Sequence, residues 1–195
     1  MAHIAILGLG NWGTAVARMW LLEGHKVKGW TIEQEVYESI TMDGINKKYL
    51  PDHSVEGLEA TMRIEEALDG VEIVVLAVPS SVILDVVDDI IPHLRPGHVL
   101  IDLAKGLAPG KRLISEAINE KLVSAKKSNT LAVVTGPTIA PEAAGGVITT
   151  ALVASEDESV AKRLAETLTT QTFILHSASD PVGAALWGAF KNVIA

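Results

Sequence analysis

The segment ILGLGNWG, residues 6–13, sets glycines at 8, 10 and 13 between an apolar run and a stretch of helical spacing. HIAILG at 3–8 reads as a short buried strand. Residues 11–23 read as a helix with Trp12, Val16, Met19, Trp20 and Leu22 on its apolar face, ended by Gly24, and KVKGWTI at 26–32 reads as a second strand. The glycines therefore sit at the first strand–helix junction of a βαβ unit of about 30 residues. In that setting Gly8 permits the tight turn, Gly10 lets a pyrophosphate approach the backbone, and Gly13 lets the helix pack on the strand. Free amides at the helix N-terminus would then bind phosphate. A plain strand–helix turn is the alternative, and placement at the very first junction favours the phosphate cradle.

The rest of the chain continues the alternation. The polar region Glu33–Glu59 reads as one short helix followed by loop, then a helix at 64–69 and the strand VEIVVLAV at 71–78, whose unbroken apolar character suits a parallel strand buried on both faces. Pro79 stops it. A helix at 82–92, a strand at 98–103, a helix at 111–123 and a strand at 131–135 follow. The loop GPTIAPEAAGG leads to a strand at 148–154, a helix at 157–170 and a strand at 172–176. Asp180 and Pro181, an N-cap followed by proline at the first helical position, open a last helix that runs to Ala195. Alternating strands and helices predict an α/β fold, a doubly wound and mostly parallel sheet.

Composition narrows the partners. The net charge of -8 disfavours a basic nucleic-acid surface, while leaving room for an anionic small molecule bound by local amides and a few cations. Apolar runs are too short, or too interrupted by charge, to insert into a membrane. MAHIAILG lacks the basic start and cleavage-like spacer of a secretory signal. With no cysteine there is neither disulfide nor thiolate chemistry, which is compatible with a cytoplasmic location. The six histidines show no metal-ligand spacing, so no metal site is expected.

Four side chains stand where open α/β sheets bind ligands or carry unusual charge. Glu33 lies twenty residues past Gly13, where a carboxylate can accept from a ribose 2′-hydroxyl; capping the next helix is the competing role. No Arg or Lys occupies 30–35, which points to NAD, with NADP disfavoured. Lys105 follows the strand HVLIDL and could meet a phosphate, or be an exposed loop lysine. Thr138 could donate to a phosphate, or cap a turn. Lys191 is the only charge in VGAALWGAFKNVIA and shares a helical face with Ala184, Trp187 and Gly188. It either snorkels to solvent or is a partly desolvated amine usable in proton transfer.

These residues resemble a known family, the NAD(P)-dependent glycerol-3-phosphate dehydrogenases. GLGNWGTAVA looks like its dinucleotide fingerprint, including Trp12, and Asn46 to Pro51 looks like its N-x-x-Y-L-P loop. AVPS at 77–80, AKG at 104–106, GPTIAPE at 136–142 and GAFKNVIA at 188–195 follow in register. The resemblance implies a Rossmann-type cofactor domain and interconversion of dihydroxyacetone phosphate and glycerol 3-phosphate, a small phosphorylated substrate. It implies that Asn11, Trp12, Tyr49, Lys105 and Ala140 contact the cofactor, and that Lys105, Gly136 and Thr138 contact substrate. It makes Lys191 the proton donor or acceptor, with Asn192 beside it, and a homo-oligomer the expected assembly.

The sequence also departs from the family. Ile32 stands where a basic residue is usual, and ELGGALKN is replaced by ALWGAFKN at 185–192. The family's helical second domain is absent, so the expected organisation is a dinucleotide-binding domain over 1–178 and the start of a connecting helix over 179–195. Two alternatives are another two-domain reductase, of the 3-hydroxyacid dehydrogenase or ketopantoate reductase type, and a non-catalytic NAD-binding remnant. GPTIAPE and KNVIA speak against the former.

Overall fold

A computed structural model describes residues 1–194, with side chains described through Phe190. The chain runs β1 (His3–Leu7), α1 (Asn11–Leu22), β2 (Lys26–Trp30), α2 (Gln34–Asp43), β3 (Glu59–Thr61), α3 (Ile64–Ala67), β4 (Ile73–Leu76), α4 (Ile83–Ile90) and β5 (Val99–Asp102). It continues through β6 (Leu107–Ala108), β7 (Arg112–Leu113), α5 (Ile114–Ser124), β8 (Leu131–Thr135), α6 (Ala140–Ala144), β9 (Thr149–Ser155), α7 (Glu158–Leu168), β10 (Phe173–Ala178) and α8 (Pro181–Ile194).

One eight-stranded sheet has the order β10-β9-β8-β5-β4-β1-β2-β3. Neighbours are parallel throughout except β8 and β9, which pair antiparallel with Val133 opposite Ala154. β10 then runs parallel to β9, with Phe173 beside Thr149. Alternation along β1 divides the core. Ile4 and Ile6 pack with Val16 and Trp20 of α1 and Leu164 of α7 on one face. Ala5 and Leu7 pack with Ile83, Val87 and Ile90 of α4 and Ile118 of α5 on the other. β4 and β5 are buried at every residue, as strands covered by helices on both sides must be. Among the described residues, no helix is long and apolar enough to cross a membrane.

The strand order turns around at β1, which has β2 on one side and β4 on the other. Chain connections diverge there, so a crevice opens beyond the carboxyl ends of β1 and β4. The glycine turn stands in it. Gly8 has φ +105, and a Cβ there would lie 2.8 Å from the Ala77 carbonyl oxygen; Gly13 would bring one to 1.9 Å from the Gly8 carbonyl oxygen. Both positions demand glycine for reasons internal to the fold.

Some expected boundaries move. Leu22 is 69% exposed and lies outside the apolar face of α1. At 3.6 residues per turn it sits about 200° round from Trp20, and Leu21 packs inward in its place. The helix expected from 111 begins at Ile114, because Arg112 and Leu113 pair with Leu107 and Ala108 as a small hairpin turned by Gly110, φ +80. The expected 136–146 loop contains α6, opened by Pro141. β3 begins at Glu59, the last residue of the expected loop, and occupies positions for which the sequence predicts no element. Asp180 does open α8: its Oδ1 accepts the Gly183 amide at 2.8 Å.

Candidate dinucleotide-binding cleft

The crevice is a cleft of about 920 Å³ walled by Gly10, Asn11, Trp12, Glu33, Tyr49 and Lys105, among others. Its floor is the start of α1. Gly10 takes the N-cap position in extended backbone, φ -72 and ψ -170, and no side chain caps the helix. The first-turn amides of a twelve-residue helix thus face the cleft without a side-chain acceptor, at the positive end of the helix dipole. A Cβ on Gly10 would meet no protein atom within 4 Å. Sterics inside the fold do not call for glycine there, whereas close approach of a phosphate would.

Asn46 fastens the second wall. It is fully buried, and its Nδ2 donates to the Leu9 carbonyl oxygen at 2.8 Å and to Thr14 Oγ1 at 2.8 Å. Its Oδ1 accepts the Tyr49 amide at 3.2 Å, so one side chain ties the 46–51 loop to the glycine turn. Tyr49 then donates its phenol proton to Glu33 Oε1 at 2.9 Å. Lys48 reaches Glu33 Oε2 at 2.6 Å and also contacts Glu35. The Lys48 hydrogen bond, and then that of Tyr49, hold the Glu33 carboxyl below the usual range. The same carboxylate pushes the Tyr49 phenol up, and the two carboxylates together raise the Lys48 ammonium.

The third wall leaves β5. Asp102, 2% exposed, accepts the Ala104 amide on Oδ1 at 2.8 Å and so bends the chain into the turn that presents Lys105. Burial pushes the Asp102 carboxyl up to about 7. Lys105 Nζ donates to Thr138 Oγ1 at 3.1 Å and lies 6.0 Å from the centre of the Trp12 ring. Trp12 is set by an edge-to-face contact with Phe173, ring centres 5.8 Å apart, and packs with Ala140 against Ala15, Leu50 and Ala144.

Gly8, Gly10, Asn11, Trp12, Gly13, Glu33, Tyr49, Lys105, Thr138 and Ala140 are therefore gathered at one end of the sheet. Gly136 lines a smaller hollow of about 300 Å³ with Pro137, Leu152, His176 and Trp187. A Cβ on Gly136 would lie 2.7 Å from the Thr150 carbonyl oxygen, so the approach of β9 accounts for glycine there. Lys191 and Asn192 belong to α8, and their side chains lie outside the described residues. Among the described residues no cluster of His, Asp or Glu could hold a metal ion. Sequence reasoning gave no role to Asn46, Lys48 or Asp102. The asparagine three residues before Tyr49 was the visible signal for the first; a lone Asp within an apolar strand was the signal for the last.

The sequence matches, over residues 3–161, the family model described as NAD-dependent glycerol-3-phosphate dehydrogenase N-terminus. The chain belongs to this glycerol-3-phosphate dehydrogenase family. Relatives named glycerol-3-phosphate dehydrogenase [NAD(P)+] include one from Exiguobacterium sp., 39% identical over 197 residues and covering 100% of this chain and 58% of its own length. Another, from Halothermothrix orenii, is 35% identical over 194 residues, covering 99% of this chain and 56% of its own length. The crystal structure of glycerol-3-phosphate dehydrogenase from Coxiella burnetii superposes with a TM-score of 0.91 at 32% identity, covering 99% of this chain and 58% of that one. The chain thus spans somewhat over half the length of the glycerol-3-phosphate dehydrogenases it matches.

Proposed function

We propose that this chain is the dinucleotide-binding part of an enzyme that interconverts dihydroxyacetone phosphate and sn-glycerol 3-phosphate, with residues 1–178 forming the cofactor domain and 179–195 leading out of it. The observation that carries this reading is the cleft. An uncapped helix N-terminus, a Cβ-free approach at Gly10, a ribose-competent carboxylate and a lysine converge on one rim of the sheet. These are the groups a nicotinamide dinucleotide requires: amides for its pyrophosphate, Glu33 for a ribose hydroxyl, and Trp12 as an apolar wall.

When bound, the nicotinamide supplies or accepts the hydride. The chain's own residues do the rest. Lys105, held by Thr138, offers an ammonium to a phosphate group. Gly136 and Thr138 are proposed on the substrate side, and Ala140 beside the cofactor through its packing with Trp12. Lys191, with Asn192 next to it, is proposed to give its proton to the alkoxide oxygen that forms as hydride reaches the ketone carbon, and to take it back in the reverse direction.

The preferred dinucleotide is NADH, since Glu33 can accept from a 2′-hydroxyl and repels a 2′-phosphate. The 195-residue chain alone is proposed to bind dinucleotide without measurable turnover. Holding the ketone in line with the nicotinamide is worth roughly 7–11 kcal/mol of a barrier, and the family's remaining length is needed for it. Calorimetric titration with NADH should give one saturable site per chain, and a steady-state assay with dihydroxyacetone phosphate should stay at background. Absence of binding overturns the cleft assignment; robust turnover overturns the division of labour.

A further inference from the structure

The Glu33–Lys48–Tyr49 cluster holds more charge than ribose recognition needs. Lys48 contacts two carboxylates at once, Glu33 on the cleft wall and Glu35 in the first turn of α2. The neighbouring Lys47 is engaged elsewhere, on Asp43 at 2.7 Å. The cation that the 30–35 window lacks is therefore delivered by the folded 46–51 loop, to the same spot, and arrives already paired.

We propose that Lys48 and Glu35 set dinucleotide choice: Lys48 is the group able to meet a 2′-phosphate, and Glu35 withholds it. This rests on reading the cleft as a dinucleotide site. The charge count decides the direction. Two carboxylates against one ammonium leave the cluster net negative, which opposes a doubly charged 2′-phosphate and leaves a neutral 2′-hydroxyl unaffected. An ammonium has three donors on a flexible four-carbon stem. Released from Glu35, Lys48 keeps Glu33 on one donor and turns another toward a phosphate. Glu35 is 66% exposed and acts only through Lys48, so it is a positioning residue. Lys48 is 41% exposed, close enough to solvent to re-aim without disturbing the core.

Dissociation constants for NADH and NADPH, measured by calorimetry at one fixed ionic strength, test the proposal on the unchanged chain, Glu35→Gln, Lys48→Ala and the double variant. Glu35→Gln should tighten NADPH by about two- to fivefold and leave NADH unmoved, the range expected for partly exposed charge pairs. Lys48→Ala should weaken NADPH by a similar factor, and the double variant should lose the Glu35→Gln gain. Lys47→Ala should leave the NADPH-to-NADH ratio where it was. A ratio unmoved by Glu35→Gln overturns the proposal, as does a gain that survives removal of Lys48. If neither dinucleotide binds the unchanged chain, the cleft reading falls and this proposal with it.

Discussion

Lys105 Nζ donates to Thr138 Oγ1 at 3.1 Å, joining the loops that leave β5 and β8. The bond aims an ammonium across the cleft toward Trp12, 6.0 Å from the centre of its ring. Lys105→Ala should therefore weaken binding of NADH by about tenfold, the loss expected for a charge-assisted hydrogen bond to phosphate. Thermal unfolding should shift by no more than about 3 °C. A large fall in the midpoint with binding intact would make Lys105 a structural residue.

Two of the motif glycines should separate stability from binding. Gly13→Ala would set its methyl 1.9 Å from the Gly8 carbonyl oxygen and should cost about 3 kcal/mol in urea denaturation. Gly10→Ala meets no protein atom and has ordinary backbone angles, so stability should stay within about 0.5 kcal/mol. Its methyl would stand where the pyrophosphate must approach, and NADH binding should be lost. Unimpaired binding by Gly10→Ala would put the phosphates elsewhere.

Asp102 should give the stability curve a definite slope. Its carboxyl, ordinarily near 3.8, is raised to about 7 by burial. Between those values the folded chain holds a proton that the unfolded chain has released, so stability falls as pH rises from about 4 to 7 and is level above that. Asp102→Asn keeps an oxygen for the Ala104 amide and removes the buried charge. It should be more stable than the parent at pH 8, by about 2–4 kcal/mol, and equal to it near pH 4. Denaturant unfolding at the two pH values measures this, and an equal difference at both would contradict it.

The exposed side of α8 should associate. Val182, Leu186, Trp187 and Phe190 are all at least 39% exposed, and Trp187 reaches 69%. Apolar patches of this kind drive contact between molecules. Light scattering of the 195-residue chain should show a mass that rises with concentration, and Leu186→Glu with Trp187→Glu should return it to 20.7 kDa. A concentration-independent monomer would refute the expectation.

Period and punctuation made most of the parallel core legible. β1, β4, β5 and β8 are short apolar runs bounded by glycine, proline or polar loops, and the glycine spacing located the crevice. Three kinds of feature were hidden. Strand direction was one: nothing in TTALVAS distinguishes an antiparallel partner from a parallel one, so the β8–β9 reversal is visible only in the fold. Side-chain convergence was another. Residues 30–35 hold no cation, yet Lys48 folds back onto Glu33 from fifteen residues away. The third was the job of buried polar groups: Asn46 and Asp102 are interior, and only their hydrogen bonds reveal that each shapes a wall of the cleft.

The reversal between β8 and β9 also fixes when the site can be finished. Because β10 runs against β8, it leaves the sheet at the rim remote from the glycine turn. Pro181 and Val182 accordingly lie beside Glu156 and Asp157. α8 then climbs along β8 at about 1.5 Å per residue until Gly188 meets its carboxyl end, where a Cβ would be 2.6 Å from Thr135 Oγ1. A helix following a strand parallel to β8 would start at the cleft and carry its later residues away. Here the incoming end is the late one. On a ribosome adding about 5–20 residues per second, the glycine turn emerges roughly ten seconds or more before the helical turn that meets the same end of the sheet from the other side. Closure of that rim by α8 thus comes only after the glycine turn and its strand have long been available to the folding chain.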